Sequence, residues 1–217
     1  VIILFLRSYK IITMLQGSNL VCVRGDRRLF KDVNFSLEPG SLMLVLGPNG
    51  SGKTSMLRML CGLSNPAIGE ISWCGTAIRT LGSEYYAVMT YMGHLSGTKD
   101  DLTVVENLRV SSALAGLEIN DTEAREALQY MGLSGRETLP VKVLSQGQRR
   151  RVALARLLVC KTKLWILDEP LAALDVSAVK LMQGLLEKHL EQGGMVVMTT
   201  HQEIEITAAS TTQLQLA

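Results

Sequence analysis

A glycine-rich segment, residues 47–54, has the residue types of a loop that holds phosphate groups. It follows the apolar run 42–46, precedes residues 56–60, which are predicted to be helical, and reads Gly47-Pro48-Asn49-Gly50-Ser51-Gly52-Lys53-Thr54. Glycines let such a loop direct backbone NH groups at phosphate oxygens, and the helix N-terminus adds partial positive charge. Lys53 is expected to reach the β and γ phosphates, and the Thr54 hydroxyl can bind Mg²⁺. The sequence therefore predicts a site for a nucleoside triphosphate and Mg²⁺, which extends to Ser55.

Further polar motifs follow in a fixed order, each next to a predicted strand or helix. They are Leu144-Ser145-Gln146-Gly147-Gln148, then Asp168-Glu169 after the apolar run 164–167, then Leu174-Asp175, then His201 after the apolar run 195–198. Together with the phosphate loop they resemble the motifs of ABC ATPases: the signature, the Walker B strand, the D-loop and the switch histidine. The order of all these motifs is far more specific than any one of them. The resemblance covers roughly residues 15–205.

The resemblance implies a role for each polar residue in the attack of water on the γ phosphate of ATP. Lys53 would neutralise phosphate oxygens, Thr54 would hold Mg²⁺ directly, and Asp168 would hold it through a water molecule. Glu169 would orient or deprotonate the attacking water, and His201 would contact the γ phosphate. Such a reaction depends mostly on positioning and on charge neutralisation. The predicted activity is therefore ATP hydrolysis, with Glu169, His201 and Lys53 as the catalytic residues.

The resemblance also implies that the signature, residues 144–148, acts on the nucleotide of a partner subunit. The helix that begins at this segment would direct its N-terminus at the partner's γ phosphate, where backbone NH groups favour negative charge. One chain carries one set of motifs, so a head-to-tail homodimer with two-fold symmetry would complete both sites. Asp175 would then lie at the subunit boundary.

Two positions depart from the family pattern. Where an aromatic residue usually stacks on adenine, this chain has Arg24, whose guanidinium can also stack on a base. Where a glutamine is expected after the predicted strand 88–92, the chain has Leu95. Either His94 replaces the glutamine or the contact with the γ phosphate is dispensable. The second alternative is favoured, because neighbouring residues of a strand point in opposite directions.

The pattern of apolar residues predicts an α/β fold of the P-loop ABC ATPase type, with a mainly parallel core sheet. Residues 15–46 are predicted to form antiparallel strands, and 176–191 an amphipathic helix. A small helical subdomain is expected at about 97–143, with Ala124, Ala127, Leu128 and Met131 on one helical face. The predicted ATP-binding domain is 15–217, and residues 1–14 are predicted to be an N-terminal extension outside the fold, with Met14 the better candidate start.

Composition excludes several classes of protein. The net charge of +2 over 217 residues is too small to indicate nucleic acid as the main partner, and the basic run 149–151 is predicted to be an exposed helical face. No apolar run approaches the roughly 18 residues of a membrane-spanning helix. The four cysteines match no zinc spacing and are predicted to be buried free thiols.

His189 lies in the last turn of a predicted helix and is expected to be structural, because the helix dipole favours a positive charge there.

Within the ABC ATPases, the sequence resembles most the ATP-binding subunits of haem-handling ABC complexes in cytochrome c maturation. The more telling features are Trp165 in the Walker B strand and the arginine run 149–151. This resemblance implies a peripheral position on the cytoplasmic side of a bacterial inner membrane, with membrane subunits of the CcmB and CcmC type as partners. Residues 94–118 would dock on them. No direct binding of haem is expected. The alternatives are an ATPase of another small ABC export system and a soluble ABC ATPase of translation or DNA repair.

Overall fold

A parallel sheet of five strands forms the centre of the fold, which a computed structural model describes for residues 14–202 and 204–216. The strands are β1 (Leu15–Arg24), β2 (Arg27–Leu37), β3 (Ser41–Leu46), β4 (Ile68–Trp73), β5 (Thr76–Ala77), β6 (Met89–Met92), β7 (Leu164–Asp168), β8 (Met195–Thr199) and β9 (Ser210–Gln215). The parallel sheet has the order β6-β7-β8-β3-β9, and an antiparallel sheet has the order β2-β1-β4-β5. The predicted α/β fold with a mainly parallel core is confirmed.

Helices cover both faces of the parallel sheet. They are α1 (Lys53–Leu60), α2 (Ile78–Leu81), α3 (Ser83–Val88), α4 (Val104–Leu114), α5 (Asp121–Tyr130), α6 (Gln146–Leu154), α7 (Arg156–Val159) and α8 (Val176–Glu191). Alternate residues of β7 belong to different apolar clusters: Ile166 packs in the cluster with α1 and the antiparallel sheet, and Leu167 in the cluster with α4 to α8. Because both faces are covered, β7 and β8 are buried along their whole length.

The predicted helical region forms α4 and α5. Each begins with a capping box, in which Thr103 pairs with Glu106 and Asn120 pairs with Glu123. These caps satisfy backbone NH groups that have no partner within the helix. The predicted apolar face of α5 is confirmed, because its three residues and the following Met131 are all buried. The predicted helix 176–191 is α8.

Three details differ from the sequence expectations. The predicted strand 88–92 begins one residue later, because Val88 ends α3. Strand β9 was not predicted, since five of its six residues are polar, as befits an exposed edge strand. Cys22 and Cys61 are buried free thiols as expected, but Cys74 is exposed in the turn after β4 and Cys160 is half-buried.

The predicted N-terminal extension lies outside the described residues, except for Met14. Among the described residues, no helix is long and apolar enough to cross a membrane.

His189 has the structural role that the sequence predicted, but not for the predicted reason. Its ring stacks on the buried Trp165, with ring centroids 3.7 Å apart and planes 5° from parallel. Burial lowers the pKa of His189, so the ring is neutral at pH 7 and supplies no charge to the helix dipole. A Cβ at Gly194 would lie 2.3 Å from His189 Nε2, so only glycine leaves room for the ring.

The half-buried His189 is expected to make stability depend on pH. Its pKa is about 6.5 in the unfolded chain and lower in the folded one, so the unfolded chain binds more protons as the pH falls. The stabilisation is present above about pH 6.5 and is lost below it. We expect the free energy of unfolding to fall more between pH 7.5 and pH 5.5 in the wild type than in His189→Phe. Urea denaturation at both pH values measures this difference, and equal falls would show that His189 does not titrate there.

Candidate functional site

A cavity of about 620 Å³ is lined by the predicted catalytic residues and by most of the predicted nucleotide-binding residues. Gly47, Pro48 and Ser51 are not part of its lining. Its lining includes most of the phosphate loop, Arg24 at the end of β1, and the residues that follow β7 and β8. Parallel strands present their carboxyl ends at one edge of a sheet, and the end of β3 leads into the phosphate loop beside them. The order of the strands is therefore what places Lys53 next to Glu169 and His201.

The glycines of the phosphate loop allow its backbone conformation, and Lys53 donates hydrogen bonds to carbonyl oxygens at its start. Lys53 Nζ donates to the carbonyl oxygens of Gly47 at 2.7 Å and Pro48 at 3.3 Å, contacts that phosphate oxygens would replace. A Cβ at Gly47 would lie 2.4 Å from the carbonyl oxygen of Leu216, just after β9. Gly52 has a φ of 102°, which suits glycine alone. The unpredicted strand β9 therefore helps to define the start of the loop.

Asp168 and Thr54 lie side by side in the lining of the cavity. The Thr54 hydroxyl donates to Asp168 Oδ2 at 2.9 Å, and the Thr199 hydroxyl donates to Asp168 Oδ1 at 2.8 Å. Asp168 is 3% exposed, so these hydroxyls hold its carboxylate in one orientation. Mg²⁺ prefers such hard oxygen ligands and usually takes only one or two from the protein, with phosphates and water completing its shell. The pair fits this chemistry, and the described residues hold no cluster of three or more His, Cys, Asp or Glu side chains that could bind a metal alone.

Glu169 belongs to the cavity lining, next to His201. Its Oε1 lies 3.4 Å from His201 Nε2, and it has no hydrogen-bond partner among the described residues although the atom is buried. The backbone NH of Glu169 donates to the Thr199 hydroxyl at 2.9 Å. Thr199 thus fixes both members of the acidic pair, a role that the sequence analysis missed.

Two arginines, not one, lie at the far side of the cavity. Arg24 lines it as predicted, together with Arg27 and Leu29. Arg24 and Arg27 pair directly across the hairpin between β1 and β2, on either side of the turn Gly25-Asp26. The two-residue turn was visible in the sequence, and it could have indicated that the second arginine lies beside the first. A base held here would contact guanidinium groups and an aliphatic side chain.

His94 lies on the nucleotide side of its loop and Leu95 does not. His94 lines the cavity and also a separate small pocket that includes Gln146. Leu95 lines that small pocket but not the cavity, and it is 85% exposed. The expectation that His94 points away rested on the alternation of a strand, but β6 ends at Met92 and the alternation does not extend to residue 94. The physical premise of that expectation was wrong. Of the two neighbours, His94 is the one that can face a nucleotide.

The signature segment lies outside the cavity of its own chain. Ser145 caps α6 and accepts a hydrogen bond from the backbone NH of Gln148 at 3.3 Å, but residues 144–148 contribute nothing to the cavity lining among the described residues. A Cβ at Gly147 would lie 2.9 Å from the carbonyl oxygen of Ala173, so the helix packs closely on the segment before Asp175. This separation is compatible with the predicted action on a partner subunit.

Asp175, the predicted residue of the subunit boundary, caps α8. Its carboxylate accepts from the backbone NH of Ala178 at 2.8 Å and forms an ion pair with Arg151 on α6. Hydrogen bonds from the Ser177 hydroxyl and from the Ala178 NH lower the pKa of Asp175. The side chain is largely exposed, so a partner subunit could reach it. The structure therefore gives Asp175 a role within its own chain, and its role at a subunit boundary stays a prediction.

Comparison with known proteins places this geometry in a family. Residues 30–172 match the family model described as ABC transporter. A relative from Nitrosospira multiformis, named cytochrome c biogenesis ATP-binding export protein CcmA, is 69% identical over 202 residues, which cover 93% of this chain and 98% of the relative. The protein of the same name from Nitrosomonas europaea is 63% identical over 95% of this chain and 97% of the relative.

Solved structures agree with the family match. A putative ABC transporter ATP-binding protein from Pyrococcus furiosus superposes with a TM-score of 0.80 at 25% identity, over 93% of this chain and 97% of that one. A dimeric ATP-binding cassette in a post-hydrolysis state with ADP and Pi superposes with a TM-score of 0.73 at 25% identity, over 87% and 88% of the two chains. With its phosphate loop, acidic pair and signature helix arranged as described, this chain belongs to the ABC transporter family and is one of its ATP-hydrolysing, ATP-binding subunits.

Proposed function

We propose that this ATPase drives an export step in cytochrome c biogenesis, in which haem is delivered to the periplasmic chaperone CcmE. The observation that carries the proposal is the 69% identity with a relative named for that process, over 93% of this chain. The site supports the ATPase part, since Lys53, Glu169 and His201 all line one cavity. Haem is the cargo of the complex in this proposal and does not bind to this chain, and nucleic acid has no part in it.

We infer that Mg²⁺ binds with ATP and is held by Thr54 and Asp168. Bound there, the ion would neutralise charge on the β and γ phosphates. Glu169 would accept a hydrogen bond from the attacking water, and His201 would stay beside it to orient that water. Arg24 and Arg27 would hold the base. The adenine preference in this proposal follows from the family.

We further propose a head-to-tail homodimer in which each signature, residues 144–148, completes the partner's site. The support is the separation of the signature from its own cavity, together with the dimeric form of a solved relative of the same fold. The domain would cover residues 15–217, with the helical subdomain at about 97–143.

Membrane subunits of the CcmB and CcmC type would hold this chain on the cytoplasmic side of the inner membrane. The docking surface in this proposal is the region between Leu95 and the helical subdomain, roughly residues 94–118. The end of α4 borders a groove of about 470 Å³ that α3 and α7 also line, and Leu114 there is 85% exposed. An exposed leucine beside an open groove suits an apolar segment of a partner protein.

Deleting the gene in its host tests the proposal. We expect the deletion strain to lose covalent haem on periplasmic c-type cytochromes, as seen on a haem-stained gel. The wild-type gene should restore haem attachment and Glu169→Gln should not, because the variant lacks the carboxylate that orients water. Normal cytochromes in a deletion strain without a second copy of the gene would contradict the role in haem delivery and favour another small ABC export system. Absence of the protein from sedimented membranes would favour a soluble ABC ATPase of translation or DNA repair.

A further inference from the structure

Arg150, the middle residue of the basic run on α6, is buried rather than exposed. Only 5% of its surface is accessible, which corrects the prediction that residues 149–151 form an exposed helical face. Its neighbour Arg149 reaches outward to an ion pair with Asp100 at 2.7 Å. A charged side chain is rarely buried to this degree without a partner. Arg150 therefore needs a structural or functional explanation that its neighbour does not.

Four backbone carbonyl groups receive the Arg150 guanidinium. Nη1 donates to the oxygens of Gly93 at 3.2 Å and His94 at 3.1 Å, and Nη2 donates to those of Asp168 at 3.0 Å and Glu169 at 2.7 Å. No carboxylate forms an ion pair with Arg150 among the described residues. Burial lowers the pKa of Arg150, and the charges of Asp168 and Glu169 oppose that shift. The guanidinium therefore joins two loops that both line the nucleotide cavity.

One of those loops contains a backbone conformation that must be held in place. Glu169 has a φ of 50°, in the left-handed region that non-glycine residues seldom adopt. Such a conformation persists only where the surrounding structure fixes it. The NH of Glu169 is fixed by the Thr199 hydroxyl at 2.9 Å, and its carbonyl is fixed by Arg150 at 2.7 Å. Both backbone groups of the residue that faces the attacking water are thus held by hydrogen bonds from outside its own loop.

We propose that Arg150 is a positioning residue for ATP hydrolysis, which holds Glu169 and the loop of His94 at fixed places beside the nucleotide. Arg150 is not part of the cavity lining, so in this proposal it acts without contact with the nucleotide. Its effect reaches the reaction through the backbone of Glu169. The planar fork of arginine can serve two loops at once, whereas the single ammonium group of lysine cannot match this geometry.

A double-mutant cycle tests this role on the purified full chain. We expect Arg150→Gln to lower kcat for ATP hydrolysis about 10- to 100-fold, since a shift of about 1 Å in a catalytic group has effects of this size. KM for ATP should change less than about 3-fold, because ground-state binding is not removed. In the Glu169→Gln background the same change should lower the residual rate less than about 3-fold, because the group that Arg150 positions is already gone. Arg150→Lys should restore at most part of the lost rate.

Controls separate positioning from general damage. Arg125→Gln removes an exposed arginine that forms an ion pair with Asp121 at 3.5 Å on α5, and its kcat should stay within about 2-fold of the wild type. Circular dichroism melting and binding of a fluorescent ATP analogue establish that each variant is folded and binds nucleotide. If Arg150→Gln does not fold, Arg150→Lys takes its place in the cycle. The proposal would be overturned if Arg150→Gln lowered kcat equally in the wild-type and Glu169→Gln backgrounds. It would also be overturned if kcat were unchanged or if only KM changed.

Discussion

Glu169→Gln is expected to lower kcat for ATP hydrolysis by about 10²- to 10⁴-fold, the range for loss of a positioned general base. The amide keeps the size of the side chain but loses the negative charge of the carboxylate. The carboxylate lines the cavity beside His201, so a water molecule that it would orient loses its charged acceptor. Affinity for ATP should change little, because Lys53 and the phosphate loop are untouched.

Steady-state phosphate release at saturating ATP measures kcat, and binding of a fluorescent ATP analogue measures the affinity for nucleotide. Glu191→Gln serves as the matched control, since it makes the same chemical change on the exposed last residue of α8. Its kcat should equal that of the wild type. A Glu169→Gln variant that retains more than about a tenth of the wild-type rate would show that another group orients the water.

Mixing two inactive variants should restore hydrolysis if each signature serves the partner's nucleotide. Lys53→Ala disables the phosphate loop, and Ser145→Arg blocks the N-terminus of α6. In a mixed dimer, the intact loop of one chain meets the intact signature of the other. Random pairing makes half of the dimers mixed, each with one working site, so an equal mixture should recover about a quarter of the wild-type rate.

A second mixture supplies the control for this experiment. Lys53 and Glu169 line the same cavity in one chain, so a mixture of Lys53→Ala with Glu169→Gln has no intact site and should recover nothing. Both mixtures need the same incubation, so that subunits exchange equally. Recovery in the first mixture alone assigns the signature to the partner's site. Equal inactivity of both mixtures would contradict the head-to-tail arrangement, provided that exchange is shown by a tagged wild-type chain.

The sequence alone was sufficient wherever the physical cause is local. The phosphate loop needs its glycines, lysine and threonine in one short segment, and the strand before it and the helix after it follow from adjacent residues. Helix α8 was predicted with its observed bounds, because its apolar residues recur at helical spacing over 16 residues. The order of the motifs then indicated the ABC ATPase family, and the pattern of that family indicated which residues line the cavity.

Only the tertiary structure decided how distant polar groups meet. Thr199 contacts Asp168 because β8 lies beside β7, and Arg150 reaches Glu169 because α6 packs against the carboxyl ends of β6 and β7. Arginines 149–151 are equally polar, so their pattern could not show which one would be buried. Strand β9 has no apolar alternation, yet its pairing with β3 brings the backbone of Leu216 against Gly47. The spacing of residues along a chain specifies helices and strands. Contacts between these elements depend on which strands are neighbours in the sheet, and short-range patterns do not encode that order.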